Sequence, residues 1–166
     1  MAKSRWASAL GFQSRAQLVD SLVEVVARHA PEGWTWAHVE VSMVATSYSG
    51  LVTVTTSDKT YSGPLREGHA LGLLRQVRHR MYVSGAGTWW SMTLDVAPGG
   101  EPTTTFDYDD EPRFEIAPSA MEYVRDLSRY GRKEAHRPDW LKARVAEAQV
   151  AGDSAWDTFS RWVNGG

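Results

Sequence analysis

The stretch TFDYDDEPRFE, residues 105–115, is the part of the sequence with the greatest potential for chemistry, because it gathers four carboxylates within five positions. They could ligate a divalent cation, act as a general acid and base pair, or attract a basic partner. A solvated turn at the end of a strand is the simplest alternative. The four carboxylates belong to Asp107, Asp109, Asp110 and Glu111.

A metal site is one interpretation of these carboxylates. The segment lacks the glycine and the ligand spacing of an EF-hand calcium loop, although a magnesium site using one or two carboxylates and several waters stays open. No two histidines have the i, i+4 spacing of a helical metal site. We predict no bound metal and no other cofactor, and we keep a metal-assisted hydrolase acting through residues 107–111 as an alternative function.

Other catalytic signatures do not occur in the sequence. There is no cysteine, which excludes disulfides, thiolate zinc sites and a cysteine nucleophile. No G-x-S-x-G nucleophile motif is present. The glycines in 85–87 and 98–100 are not followed by the Lys-Ser/Thr of a phosphate-binding loop. We therefore predict that the protein has no catalytic residues and is not an enzyme.

Charge is distributed unevenly along the chain. The formal net charge is only −2, which gives no overall basis for binding nucleic acid. Residues 95–126, however, contain nine Asp and Glu against two Arg, while residues 127–149 contain six Lys and Arg against three acids. A concentrated acidic surface accelerates association with a basic partner. We therefore assign to a partner-binding surface Asp107, Tyr108, Asp109, Asp110 and Glu111.

Trp89 and Trp90 are adjacent in a predicted strand, so their side chains should point to opposite faces of a sheet. Trp90 shares a face with the apolar Met92, whereas Trp89 lies on the other face. Trp89 is then either covered by a helix or exposed as an anchor for a partner, since tryptophan is enriched among the residues that dominate binding energy. We include Trp89 in the predicted partner-binding surface.

The N-terminal half of the sequence predicts two helices. Ser14 and Gln17 form a capping box ahead of an apolar helical repeat that ends at Pro31. A second apolar repeat predicts a helix over residues 70–81. Its solvated side is predicted to carry Arg75, Arg78 and Arg80.

Alternation of apolar and polar residues predicts two β-hairpins. The first pairs strands at 39–45 and 52–55 across a turn at 48–50, and a short third strand follows near Thr60. The second pairs a strand at 90–96 with the segment TTTFDY through the turn PGGEP. Strands joined by hairpins run antiparallel.

Three further helices are predicted towards the C-terminus. Ser119 and Glu122 match a capping box at the start of the first, and Pro138 suits the first turn of the second, over residues 138–149. A short amphipathic helix ends the chain. The apolar residues of the first and last of these helices are Met121, Val124, Leu127, Trp156, Phe159 and Val163.

The order of these elements predicts an α+β fold, in which two hairpins build an antiparallel β-sheet, helices pack on the sheet and the C-terminus is helical. The length fits one domain covering residues 1–166. The N-terminal residues contain no apolar stretch of signal-peptide length, and no apolar run approaches the roughly 18 residues of a membrane span. We expect a cytoplasmic protein that does not bind membranes.

Residues 89–141 combine a strand, an aromatic and acidic segment ending in D-E-P, a helix, an aromatic residue with basic residues, and a P-x-W motif. The residues that carry this pattern are Phe106, Tyr108, Asp110, Glu111, Pro112, Tyr123, Leu127, Tyr130, Arg132, Pro138 and Trp140. In this pattern the segment resembles the YezG-like antitoxins, a family of immunity proteins that partner polymorphic secreted toxins. Gly131 departs from the family pattern, which has proline before the arginine, and the N-terminal half is similar only in general layout.

The resemblance implies a cytoplasmic immunity protein that neutralises the C-terminal domain of a secreted toxin, often a nuclease, by binding it. Nuclease domains tend to be basic because they hold phosphates, so an acidic surface could occupy the region that nucleic acid would use. An adaptor module with an unrelated protein partner is the remaining alternative function.

Overall fold

The computed structural model describes residues 13–66 and 68–163, and for residues 156–163 it describes the backbone only. Within these residues the chain forms four α-helices, a short 3-10 helix at Glu134–His136 and five β-strands. The helices are α1 (Arg15–His29), α2 (Gly68–Arg80), α3 (Ala120–Arg129) and α4 (Asp139–Val163). The strands are β1 (Trp34–Val44), β2 (Ser47–Thr56), β3 (Thr60–Pro64), β4 (Ser91–Val96) and β5 (Thr103–Asp107).

The strands form one antiparallel sheet in the order β3-β2-β1-β4-β5, which confirms the predicted α+β fold and the short third strand. The register places Ser42 of β1 opposite Ser91 of β4, and Ser91 opposite Asp107 of β5. The C-terminal end of β5, where the acidic segment begins, therefore lies at the same end of the sheet as the C-terminal half of the central strand, with β4 between them.

Helices α1 and α2 cover one face of the sheet. The predicted capping box of α1 is present, because the Ser14 hydroxyl accepts a hydrogen bond from the Gln17 backbone N–H at 3.2 Å and the Gln17 side chain accepts one from the Ser14 N–H at 2.8 Å. Leu22 and Leu74 of the two helices are fully buried in the main core, together with Val39 of the central strand. Burial of this apolar surface is the main force that holds the helices to the sheet.

A second, smaller core joins the opposite face of the sheet to α3 and α4. Its buried members are Val44, Trp90, Tyr123 and Leu141. The ring centroid of Trp140 lies 5.3 Å from that of Trp90. This core covers only the end of β1, so the rest of that face stays open. Among the described residues, no helix combines the length and the apolar character needed to cross a membrane.

The turn between β1 and β2 differs from its prediction. It lies at Ala45 and Thr46, whereas residues 48–50 belong to β2. Ala45 has a φ of 46°, a left-handed conformation that is unfavourable for alanine. Two carboxylates of α3 hold it there: Asp126 accepts the Ala45 N–H at 2.7 Å and Glu122 accepts the Thr46 N–H at 2.9 Å. A tertiary contact thus fixes a turn that lacks a local sequence signal.

The C-terminal helices also differ from their predictions. Ser119 makes no side-chain capping hydrogen bond, because the Glu122 backbone N–H donates to the Ser119 carbonyl at 3.0 Å instead, and the Glu122 carboxylate accepts hydrogen bonds from the β1–β2 turn. Met121 is 40% exposed, and the buried side of α3 carries Glu122, Tyr123 and Asp126. The two predicted helices after Pro138 are the single helix α4, because a glycine inside a helix costs only about 1 kcal/mol. The predicted apolar side chains at 156, 159 and 163 lie outside the described side chains.

Candidate functional site

The acidic segment begins with a turn that Asp107 holds. One oxygen of its carboxylate accepts the backbone N–H groups of Asp109 at 2.8 Å and of Asp110 at 2.9 Å. This is the turn geometry that aspartate favours, because its short side chain replaces a backbone acceptor. The Asp107 carbonyl accepts the Trp90 N–H at 2.7 Å, which anchors the turn to the residue just before β4. We call residues 107–111 the acidic loop.

Three side chains from the C-terminal segment hold the backbone and one carboxylate of the acidic loop. Arg132 donates to the Tyr108 carbonyl at 2.9 Å, and the Trp140 indole N–H donates to the Asp109 carbonyl at 2.6 Å. Arg144 donates through two nitrogens to the Glu111 carboxylate, each at 2.8 Å. We call these donors the loop clamp, and they are Arg132, Trp140 and Arg144.

The loop clamp leaves the Asp109 and Asp110 carboxylates unused. Both residues are exposed, and neither forms an ion pair within the described residues. Their backbone is nevertheless held by Asp107 and Trp140. Two negative charges are thus presented to solvent from an ordered loop.

Arg132 is buried at the base of this arrangement. Its guanidinium carbon lies 4.6 Å from the centroid of Trp90, and it also donates to the Thr88 carbonyl. Burial lowers the pKa of Arg132, while the charge of Asp126 acts in the opposite direction. Arginine nevertheless stays charged at neutral pH. Gly87 has a φ of 86°, and a Cβ there would overlap the Arg132 side chain, so this close approach requires glycine.

A buried ion pair connects α2 to α3 behind the loop. Arg78 and Asp126 are each 2% exposed, and two guanidinium nitrogens contact the two carboxylate oxygens at 2.5 and 3.0 Å. Arg78 also donates to the Trp89 carbonyl at 2.9 Å. The prediction that Arg78 belongs to a solvated helix face was wrong, whereas Arg75 and Arg80 are exposed. A buried charge needs such a partner, so this pair is a structural element of the fold.

Trp89 is buried under helices, which is one of its two predicted alternatives, but the faces of both tryptophans differ from the prediction. Both are 0% exposed: Trp89 packs in the main core near Phe106, and Trp90 packs in the second core. Their faces are the reverse of those predicted, because they precede the regular part of β4 and helices cover both faces at this end of the sheet. Trp89 cannot contact a partner in this conformation, and we remove it from the binding surface.

Tyr108 is only partly available to a partner. Its ring packs against the main core and its hydroxyl lies 3.5 Å from the Met81 carbonyl. Burial raises the pKa of Tyr108, and the nearby arginines oppose that rise without cancelling it. The phenol is therefore neutral at physiological pH. The exposed part of the predicted surface consists of Asp109, Asp110 and Glu111.

The described residues contain no group of three or more His, Asp or Glu side chains placed to hold a metal ion. The metal-assisted hydrolase alternative would therefore need a magnesium site that uses one or two carboxylates and several waters. His38 contacts two carboxylates, Asp95 at 2.8 Å and Glu40 at 3.4 Å. Burial opposes protonation of the His38 ring, but the hydrogen bonds to these carboxylates outweigh it and raise its pKa. The three groups lie on the open face of the sheet.

The loop clamp was not part of the site predicted from the sequence. Arg132 and Trp140 are among the positions that carry the family resemblance. Two further positions of that set are also buried: Tyr123 packs beside Trp140, and Tyr130 packs beside Arg78 of the buried ion pair. The P-x-W motif was thus the available signal, since it places an indole donor at the start of α4. Arg144 lies outside the resembling segment and had no signal.

No known protein family model matches the sequence, and no curated protein matches it either.

Proposed function

We propose that this chain is an immunity protein that binds and neutralises the C-terminal domain of a cognate secreted toxin. The observation that carries the proposal is the ordered acidic loop, whose backbone is held by Arg132 and Trp140 while the carboxylates of Asp109 and Asp110 remain exposed. A loop that is ordered before binding loses little conformational entropy in the complex. Exposed charges on such a loop favour fast association with a partner of opposite charge.

A nuclease is the toxin class that this surface suits best. Nuclease domains carry basic surfaces for phosphates, and a carboxylate pair on an ordered loop can compete for those positions. The resemblance of residues 89–141 to the YezG-like antitoxins supports the same role. In this proposal the protein acts in the cytoplasm by binding alone and has no nucleic-acid partner of its own.

Co-expression tests the proposal. The partner is the C-terminal domain of a secreted protein encoded by the gene beside this one, and cell survival and co-purification are scored together. Wild type should rescue growth and form a complex, whereas Asp109→Lys with Asp110→Lys should rescue less growth and bind the toxin domain more weakly. The matched control is Asp20→Lys with Glu24→Lys, which reverses two exposed acids of α1 on the other side of the sheet and should behave as wild type.

Failure of wild type to rescue or bind, with both proteins folded, would contradict the immunity function for that pair. An adaptor module would also fail to rescue growth or bind the toxin domain. It would instead bind a non-toxic basic protein, and that binding would weaken when Asp109 and Asp110 are reversed.

A further inference from the structure

One face of the sheet stays open beyond the second core. The helices α1 and α2 pack on the face that carries Val39, whereas Glu40 and Ser42 of β1 project to the other side. The Glu40 side chain is 59% exposed, and Leu51 on the neighbouring strand is 41% exposed. This open face continues directly into the acidic loop, because Asp107 lies opposite Ser91 in the sheet register.

A groove of about 950 Å³ lies between the open face and the segment that follows the acidic loop. Hydroxyl groups line its floor, including those of Ser42, Ser91 and Thr93. Phe114 and Pro64 are among the residues that line its sides. A groove of this size accommodates several side chains of an extended peptide, and its mixed lining offers both hydrogen bonds and an aromatic surface.

The charge of this groove is strongly negative. Five carboxylates line it against two guanidinium groups. Glu111 is already paired with Arg144, and Glu40 contacts His38, but Glu115 forms no ion pair among the described residues. The lining carboxylates are those of Glu40, Asp107, Asp110, Glu111 and Glu115, and the guanidinium groups are those of Arg66 and Arg113.

We propose that this open-face groove receives an extended, arginine-bearing segment of the partner protein, which deepens the proposed function and rests on it for the identity of the partner. Arginine suits the lining because its planar fork pairs with carboxylates and stacks on an aromatic ring such as Phe114. The stem of the side chain packs on apolar lining residues such as Leu51 and Pro64. A nucleic acid does not fit, since its phosphates would meet excess negative charge.

A short arginine-rich peptide tests the ligand chemistry without the toxin. It is titrated into the full-length, 15N-labelled protein, with the same peptide carrying glutamine at every arginine as the control. Saturable amide shifts confined to β1, β4 and residues 110–115 are expected with the arginine peptide only. Shifts spread over α1 and α2, no saturation, or an equal response to spermine would overturn the proposal.

Two variants that remove the same charge then distinguish binding in the groove from attraction by the net charge of the protein. Glu40→Gln with Glu115→Gln should weaken peptide binding about tenfold, because both substitutions remove carboxylates that line the groove. Asp20→Asn with Glu24→Gln removes the same charge from α1 and should change binding by less than about twofold. Equal losses in the two variants would contradict a defined groove.

Repeating the variants with the toxin domain distinguishes this inference from the proposed function. Toxin binding that survives Glu40→Gln with Glu115→Gln but is lost when Asp109 and Asp110 are reversed would overturn the groove and leave the immunity function intact. Saturable peptide binding in the groove, without any binding of the toxin domain to wild type, would contradict the immunity function and support the ligand chemistry of the groove.

Discussion

The carboxylates of the acidic loop have different roles, and these roles follow from the hydrogen bonds that each carboxylate accepts. Asp107 uses its side chain to hold two backbone N–H groups of the loop, so its substitution would disturb the loop itself. Asp109 and Asp110 accept no such bonds from the described residues and stay exposed. If all four acids were replaced by the same residue, the loss of binding at Asp107 would report loop formation, whereas the loss at Asp109 and Asp110 would report attraction of the partner.

Trp140→Phe tests whether the ordered loop matters for binding. The substitution keeps an aromatic ring against the second core but removes the N–H that the Asp109 carbonyl accepts at 2.6 Å. We expect a loss of about 1 kcal/mol in the free energy of unfolding, and several-fold weaker toxin binding because the loop must then be ordered on association. Denaturant unfolding and titration calorimetry measure the two quantities.

Trp34→Phe is the matched control for Trp140→Phe. Trp34 begins β1, at the end of the strand away from α3, so the same chemical change there should leave toxin affinity unaltered. If Trp140→Phe bound the toxin domain as tightly as wild type, the loop clamp would have no role in recognition.

Trp89→Phe tests the assignment of Trp89 to the core. Its indole N–H has no hydrogen-bond acceptor among the described residues, so the substitution removes an unpaired buried donor while it leaves a gap in the packing. These effects oppose each other, and we expect the free energy of unfolding to change by no more than about 2 kcal/mol. Toxin affinity should stay the same; a selective loss of affinity in a folded variant would return Trp89 to the interface.

At the scale of helices and strands, sequence patterns predicted those elements whose stabilising contacts are made by residues close in the chain. The apolar repeat and capping box of α1 are present, and alternation identified β1, β2 and the β4–β5 hairpin. The turn at Ala45 and the buried side of α3 were missed for one reason. Each depends on contacts between β1–β2 and α3, whose residues are 76 to 81 positions apart in the chain. No window of sequence contains both partners.

The candidate site was predictable to a similar extent. The density of carboxylates identified the acidic loop, since charge is visible residue by residue. The loop clamp was not visible, because an indole donor on α4 and a carbonyl on the loop have no distinctive local signature. Arg78 was misassigned because its helical position suggested solvent, and only its pairing with Asp126 makes burial possible.

Glu122→Gln tests how α3 holds the β1–β2 turn. Hydrogen bonds from Thr46 lower the pKa of Glu122 below its ordinary 4.5, although burial opposes them. A carboxyl with a lowered folded-state pKa stabilises the fold above its unfolded-state pKa and loses that contribution as the pH falls through the folded-state value. Glutamine keeps an acceptor oxygen but loses the charge, so we expect about 1–3 kcal/mol less stability at neutral pH.

The pH profile distinguishes this mechanism from a general packing defect. Below about pH 4.5 the difference in unfolding free energy between wild type and Glu122→Gln should shrink, because the wild-type carboxyl then takes up a proton. Glu24→Gln, an exposed change on α1, should leave the wild-type profile unchanged. A difference that stayed constant as the pH fell would rule out the charged hydrogen bonds to Thr46.

At the scale of the whole molecule, the structure separates two surfaces. One face of the sheet is closed by α1 and α2 around the main core, and the other combines the open-face groove with the acidic loop. The second core and the buried Arg78–Asp126 pair attach α3 and α4, whose clamp residues hold the loop, to the end of the sheet. Our proposal therefore places recognition on one side of the molecule, while the main core on the other side and the buried interior stabilise the fold.

The rate of association with the toxin domain tests this account most directly. Stopped-flow measurements at low and physiological ionic strength compare wild type, the Asp109→Lys and Asp110→Lys double variant, and the Asp20→Lys and Glu24→Lys control. We predict that the loop variant associates about tenfold more slowly, with a weaker dependence on salt and an unchanged melting temperature, while the control stays within about twofold of wild type. Equal slowing of both variants, or no slowing of the loop variant, would contradict the acidic loop as the binding surface.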